Sequence, residues 1–131
     1  VILLIVGLIM LDTMLPSKAR RALPDSATEV KEYDLDAGMI GDFVRVLNAR
    51  LPETDFPQYA QSLGLTQRYD PSEHSSMETQ INLSMNLNDL AAWWDEPTDM
   101  DNCYFEYAPG TEYLVRVKWK DGWVYFVAFA W

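Results

Sequence analysis

Only one cysteine, Cys103, and one histidine, His74, occur in the 131 residues. A lone cysteine excludes an intrachain disulfide and any cysteine-based zinc site. Within the apolar run NCYFEY it reads as a buried thiol, not a reactive one. A lone histidine without a G-x-S-x-G elbow leaves little for a Ser-His-acid hydrolase. His74 sits among Ser72, Glu73, Ser75 and Ser76, and reads as a solvated loop residue. Basic residues are scarce: 10 Lys+Arg stand against 20 Asp+Glu, for a net charge of −10. The deficit is uneven, since residues 1–23 carry +2 and the remaining 108 residues carry −12. A domain this acidic repels phosphate backbones, so nucleic acid is not an expected partner. A basic protein partner suits it, and so does plain solvation of acidic faces. No internal repeat or low-complexity segment is found.

Long apolar runs are confined to the two ends. The chain opens VILLIVGLIM, and Val1–Leu11 is apolar apart from Gly7. Eleven helical residues span about 17 Å, short of a bilayer core of about 30 Å. The run reads as part of a membrane anchor or as the apolar centre of a signal peptide, with a core element as the rival. Ser17-Lys18-Ala19 has the small-x-small form of a cleavage site. Residues 1–15 are therefore expected to be an N-terminal apolar helix, anchor or signal, and 16–24 a basic linker. The rest, 25–131, is expected to be a single globular domain, membrane-anchored and extracytoplasmic, or secreted after cleavage. Lys18, Arg20 and Arg21 argue the other way, because positive flanks tend to stay cytoplasmic.

The fold class expected is α+β, an antiparallel sheet with one main packed helix. ATEVKEYDLD (Ala27–Asp36) reads as a strand with a bulge, and DFVRVLNARL alternates as its hairpin partner. Phe56, Tyr59, Ala60 and Leu63 follow helical spacing, with Pro57 in the first turn and Gly64 placed for a C-terminal cap. Residues 65–80 read as loop. Ile81, Leu83, Met85 and Leu87 alternate as a strand, with a helix over 77–94 as the rival, and Asn88 is placed to cap a short helix over Asp89–Trp94. EYLVRVKW and WVYFVAFAW flank Asp121-Gly122 and form a C-terminal β-hairpin.

The stretches LPDSATEVKEYD and VLNARLPETDFPQYAQSLGL, with the C-terminal DGWVYF strand, carry a resemblance. The chain resembles small, uncharacterised bacterial membrane-anchored or exported proteins. These have a Leu-Pro-x-Ser-Ala start after the anchor and an xDFxxYxxxLGL helix. The resemblance spans roughly residues 23–64 and 119–131. It implies a location and an architecture, and it assigns no catalytic residues.

Candidate binding residues lie in two places. The loop DEPTDMDN holds Asp99 and Asp101, preceded by the adjacent Trp93 and Trp94. Its DMDNCY departs from a calcium loop, with Cys103 at the fifth position and no glycine after it, so no metal and no cofactor are expected. Adjacent tryptophans on a helix point about 100° apart, so one can enter the core while the other reaches a surface. The last strand is apolar on both faces, which requires cover on both; Phe126 is the centre of the face expected to meet a partner, while Trp123 and Trp131 are expected in the core. Three functions follow. The first is a membrane-tethered accessory or protein-binding domain without catalysis, docking through Phe126. The second is a small-ligand or carbohydrate-binding module using Trp93, Trp94 and the acidic loop. The third, least favoured, is a small hydrolase around His74.

Overall fold

The computed structural model describes residues 17–36, 43–82, 91–108 and 113–130. Six strands form one antiparallel sheet: β1 (Thr28–Asp36), β2 (Phe43–Arg50), β3 (Gln67–Arg68), β4 (Cys103–Ala108), β5 (Tyr113–Lys120) and β6 (Trp123–Ala130), in the order β1-β2-β6-β5-β4-β3. The helices are short: α1 (Lys18–Arg21), α2 (Phe56–Ser62), α3 (Pro71–His74) and α4 (Glu78–Asn82). The α+β architecture holds. The expected anchor helix, residues 1–15, lies outside the described residues, as does Trp131. Among the described residues, no helix is long and apolar enough to cross a membrane.

Side-chain alternation sends each central strand's residues to two faces, and both faces are buried. On one, Val44, Val46, Leu114, Val127 and Phe129 pack with Tyr69, Ile81, Ala91, Trp94, Met100, Cys103 and Phe105. On the other, Leu47, Ala49, Val117, Val124, Phe126 and Ala128 pack with Phe56, Tyr59, Ala60 and Leu65. The doubly apolar β6 therefore needs no partner for cover: α2 and its flanks lie on one face, and the chain from Tyr69 to Met100 lies on the other.

Local chemistry explains several elements. A register shift between Thr28 and Lys31 gives β1 the expected bulge, with Glu29 at φ 51. Asp121 (φ 52) and Gly122 (φ 89) form a two-residue turn with both central residues left-handed, closing the hairpin at Lys120 and Trp123. Helix α2 follows a short 3-10 turn, carries Pro57 in its first turn and ends at Gly64 (φ 78). There the Leu65 amide donates to the Ala60 carbonyl at 3.0 Å and the Gly64 amide to Gln61 at 2.9 Å, which is a Schellman ending. Phe56 is buried, while Leu63, the C-cap of the helix, is half-buried and packs against the edge of the same cluster.

Other expectations need correction. Residues 65–80 are not loop: they hold β3, α3, a 3-10 turn and the start of α4. Ile81 and Asn82 are helical rather than extended. The remainder of the expected 81–87 strand lies outside the described residues, as does Asn88. Ala91 and Trp94 close a turn, with the Trp94 amide donating to the Ala91 carbonyl at 2.9 Å, so no helix runs through to 94. The basic linker contains α1, whose Ala19 is buried and accepts from the Tyr59 hydroxyl at 2.8 Å.

Candidate functional site

The strand β5 carries Arg116, Lys118 and Lys120 on the face turned toward residues 91–102. Each takes acceptors farther along that loop. Arg116 bonds Glu96 at 2.8 and 2.9 Å and donates to the Ile81 carbonyl at 2.8 Å. Lys118 reaches Glu96 at 2.9 Å, Asn82 Oδ1 at 2.6 Å and the Pro97 carbonyl at 3.2 Å. Lys120 pairs with Asp99. Arg68 of β3 then donates to the Asp101 carbonyl and to Asn102 Oδ1, both at 3.1 Å. The acidic loop is thus pinned to the sheet at successive points.

Arg116 and Lys118 are almost fully buried, 1% and 2% exposed. Burial lowers the pKa of both, and Glu96 opposes the shift. Two cations therefore share one buried carboxylate. Beside them, burial pushes the Cys103 thiol up to about 11, against the pull of Arg116 and Lys118. A thiol so raised and enclosed is inert. Cys103 should not react with a thiol-specific disulfide reagent at pH 8 in the folded chain and should react fully in denaturant. Rapid labelling of native protein would show that the β4 start opens.

The pinned loop forms one wall of an open cleft of about 660 Å³ lined by Arg68, Tyr69, Asp70, Pro71, Glu73, Glu78, Asp99, Met100 and Asp101. The opposite wall comes from α3 and the start of α4. Asp70 caps α3: its Oδ1 accepts from the Ser72 amide at 2.9 Å and from the Ser72 hydroxyl at 2.8 Å. Those bonds hold the Asp70 carboxyl below the usual range. The hydrogen bond from Lys120 does the same for Asp99. Five carboxylates line the cleft against Arg68, and Lys120 offsets one more, leaving three negative charges in excess. At its floor Tyr69 is 7% exposed, and burial, with the charge and hydrogen bond of Glu78 beside it, raises the pKa of its hydroxyl.

The structure brings Asp99 and Asp101 together with Asp70, Glu73 and Glu78, and separates them from the other expected site residues. Trp94 is buried, with edge-on contacts to Tyr125 (5.8 Å) and Trp93 (6.1 Å). Trp93 is half-buried against the same cluster. Phe126 is core on the opposite face, so the exposed apolar patch expected around it does not exist: α2 and its flanks cover it. Trp123, expected in the core, is only partly covered and stacks under the Arg50 guanidinium at 4.9 Å.

His74 is not solvated but buried, edge-on to Phe105 at 5.1 Å. Its Nδ1 accepts from the Asp70 amide at 2.9 Å, so the neutral ring carries its proton on Nε2. Nε2 lies 3.0 Å from Gln67 Nε2; since the ring's other nitrogen accepts, Nε2–H is the donor, and a half-turn of the Gln67 amide supplies the oxygen that accepts from it. Both ring nitrogens are committed to structure, and none of the neighbouring serines takes them. Among the described residues, no group of three His, Cys, Asp or Glu is placed to hold a metal ion.

Sequence reasoning missed Arg68, Tyr69, Glu73 and Glu78 as cleft residues, and Glu96 as a buried counter-charge. The strict alternation of Arg116, Lys118 and Lys120 opposite an acidic loop was the available signal for the last. Compared with family models, curated proteins and solved structures, the chain finds no match in any of the three. The reading of the cleft therefore rests on its own geometry.

Proposed function

We propose that this chain is a non-catalytic accessory domain, tethered or exported through residues 1–15, that takes a basic segment of a partner protein into its acidic cleft. The observation that carries the reading is the cleft itself. Carboxylates from two chain segments, Asp70–Glu78 and Asp99–Asp101, converge on one concave surface whose far wall is already fixed by Arg68, Lys118 and Lys120. A preorganised site spends little on ordering its own loops when it binds. Its excess negative charge steers cationic ligands and rejects acidic ones. A carbohydrate platform has less support, since Trp94 is enclosed and only Trp93 retains exposed ring.

The full chain should bind a lysine-rich pentapeptide in calorimetry, with affinity falling as salt rises from 50 to 300 mM, roughly as screening requires. Glu73→Lys combined with Asp101→Lys should weaken it about tenfold or more, because exposed charges near a cation each contribute up to about 1 kcal/mol. Equal affinity for a glutamate-rich pentapeptide, or no binding of the basic one, would refute the reading.

A further inference from the structure

On the face of the sheet away from the cleft, the helix cover ends one row too soon. Tyr104, Val117, Phe126 and Leu47 form a row across four strands, and α2 lies over it, with Phe56 edge-on to Tyr104 at 5.7 Å. The next row on that face is Glu106, Val115, Ala128 and Arg45. Helix α2 stops at Ser62, so Leu63, Tyr113 and Val115 stay half-buried around a groove of about 250 Å³. Small-molecule pockets run to about 300–1,000 Å³, so this one suits a few apolar side chains instead.

The remaining wall is α1, whose Ser17, Lys18 and Ala19 line the groove. Its backbone is held in place. Ser17 Oγ accepts from the Arg20 amide at 3.2 Å, and the Ala19 carbonyl accepts from the Tyr59 hydroxyl at 2.8 Å. Ser17 is the first described residue, so the chain before it is delivered to the mouth of the groove. That chain reads LDTMLP over residues 11–16, with three large apolar side chains and one charge.

We infer that residues 11–16 seat in this groove, with Leu11, Met14 and Leu15 against Val115 and Ala128, and Asp12 at the rim where Lys18 lies. The reach is sufficient. Six extended residues span about 20 Å, and the groove crosses three strand spacings from β2 to β4, about 14 Å. An adjoining segment also binds at the high effective concentration of an intramolecular partner, which a separate molecule lacks. The seat goes beyond the proposed function in one respect: it fixes the domain against its own tether. The acidic cleft lies on the other face of the sheet and is therefore turned away from residues 1–10.

The test is thermal unfolding of the full chain in detergent micelles. Leu15→Asp should lower the melting temperature by about 5–10 °C, because it withdraws apolar surface from the groove. Val115→Lys, at a half-buried position, should evict the segment and lower it by a similar amount; the near-isosteric Val115→Thr serves in the cycle should the lysine chain not fold. The double variant should lose no more than the larger single loss, since side chains in contact are not additive. Losses that add, or a Leu15→Asp chain that melts like the natural one, overturn the seat and leave the proposed function standing. Coupling of Val115→Lys to Ile40→Asp in place of Leu15→Asp overturns it in favour of residues 37–42 as occupant. A natural chain whose melting temperature rises with protein concentration, with that rise lost in Leu15→Asp, gives the groove to a neighbouring copy's segment and overturns the intramolecular seat.

Discussion

Glu96→Ala should cost about 3–5 kcal/mol of stability, the penalty for stranding buried charge when its partner is removed. In a chain of this size that lowers the melting temperature by about 10–20 °C. The reason is the count of charges. Arg116 and Lys118 are buried under residues 91–102, and among the described residues Glu96 is the one carboxylate both of them bond. Even in the native chain Arg116 keeps one Nη without a hydrogen-bond partner. Removing the carboxylate leaves two like charges side by side on β5, held, among the described residues, by carbonyls and Asn82. Water cannot enter without lifting the loop off the sheet, which dismantles the cleft wall. Replacing the group by apolar residues is the informative control: Glu96→Leu with Arg116→Met and Lys118→Met should melt well above Glu96→Ala, because the desolvation penalty goes with the charges. The triple variant should still bind pentalysine more weakly than the natural chain, since Asp99 to Asp101 lose part of their anchorage. Thermal unfolding followed by circular dichroism reads the first effect and calorimetry the second. A Glu96→Ala chain that melts within a degree of the natural one would mean that the cations are solvated.

What the sequence made legible is what short-range chemistry decides. The Asp121-Gly122 turn, the alternation of β2 and β6, the bulge in β1 and the Gly64 ending of α2 each depend on residues within one turn of each other. Burial depends on distant chain and was read less well. Arg116 and Lys118 alternate with apolar residues as a solvated strand face does, and only Glu96 and Asn82, far off in sequence, reverse that. His74 looked like a loop residue because its neighbours are serines; the chain enters helical turns there and presses the ring on Phe105. Half of the cleft was visible, as the acidic run at Asp99 and Asp101. The wall carrying Asp70, Glu73 and Glu78 was not, because the sheet joins the two walls through the pairing of β3 with β4. Ile81 shows the ambiguity of a short apolar stretch, where period alone does not separate strand from helix.

Phe126→Asp should unfold the domain. Phe126 was a natural candidate for a docking residue, since β6 is apolar on both faces and a single helix is small cover. The register places it between Leu47 of β2 and Val117 of β5, with Phe56, Tyr59 and Ala60 of α2 in the same cluster. It is 7% exposed, and its remaining edge borders a groove of about 250 Å³ shared with Leu63, Leu65, Val115 and Ala128. Truncation to alanine removes the ring and leaves a cavity at the centre of three strands and a helix, a loss of about 3–5 kcal/mol. Aspartate adds to that a carboxylate in an apolar layer. The cations nearest the groove, Lys18 and Arg45, lie at its rim, and Arg45 is already paired with Asp34 at 3.2 Å. Small domains hold about 5–15 kcal/mol in all, so the two losses together consume most or all of the native margin. Phe126→Leu, which keeps most of the volume, should remain folded and bind pentalysine with unchanged affinity, because the cleft lies on the opposite face of the sheet. Urea unfolding of the three variants orders them as leucine, alanine, aspartate. If Phe126→Asp instead folds with a native melting temperature, the α2 layer does not cover β6, and the docking surface of this domain has to be sought on that face rather than in the acidic cleft.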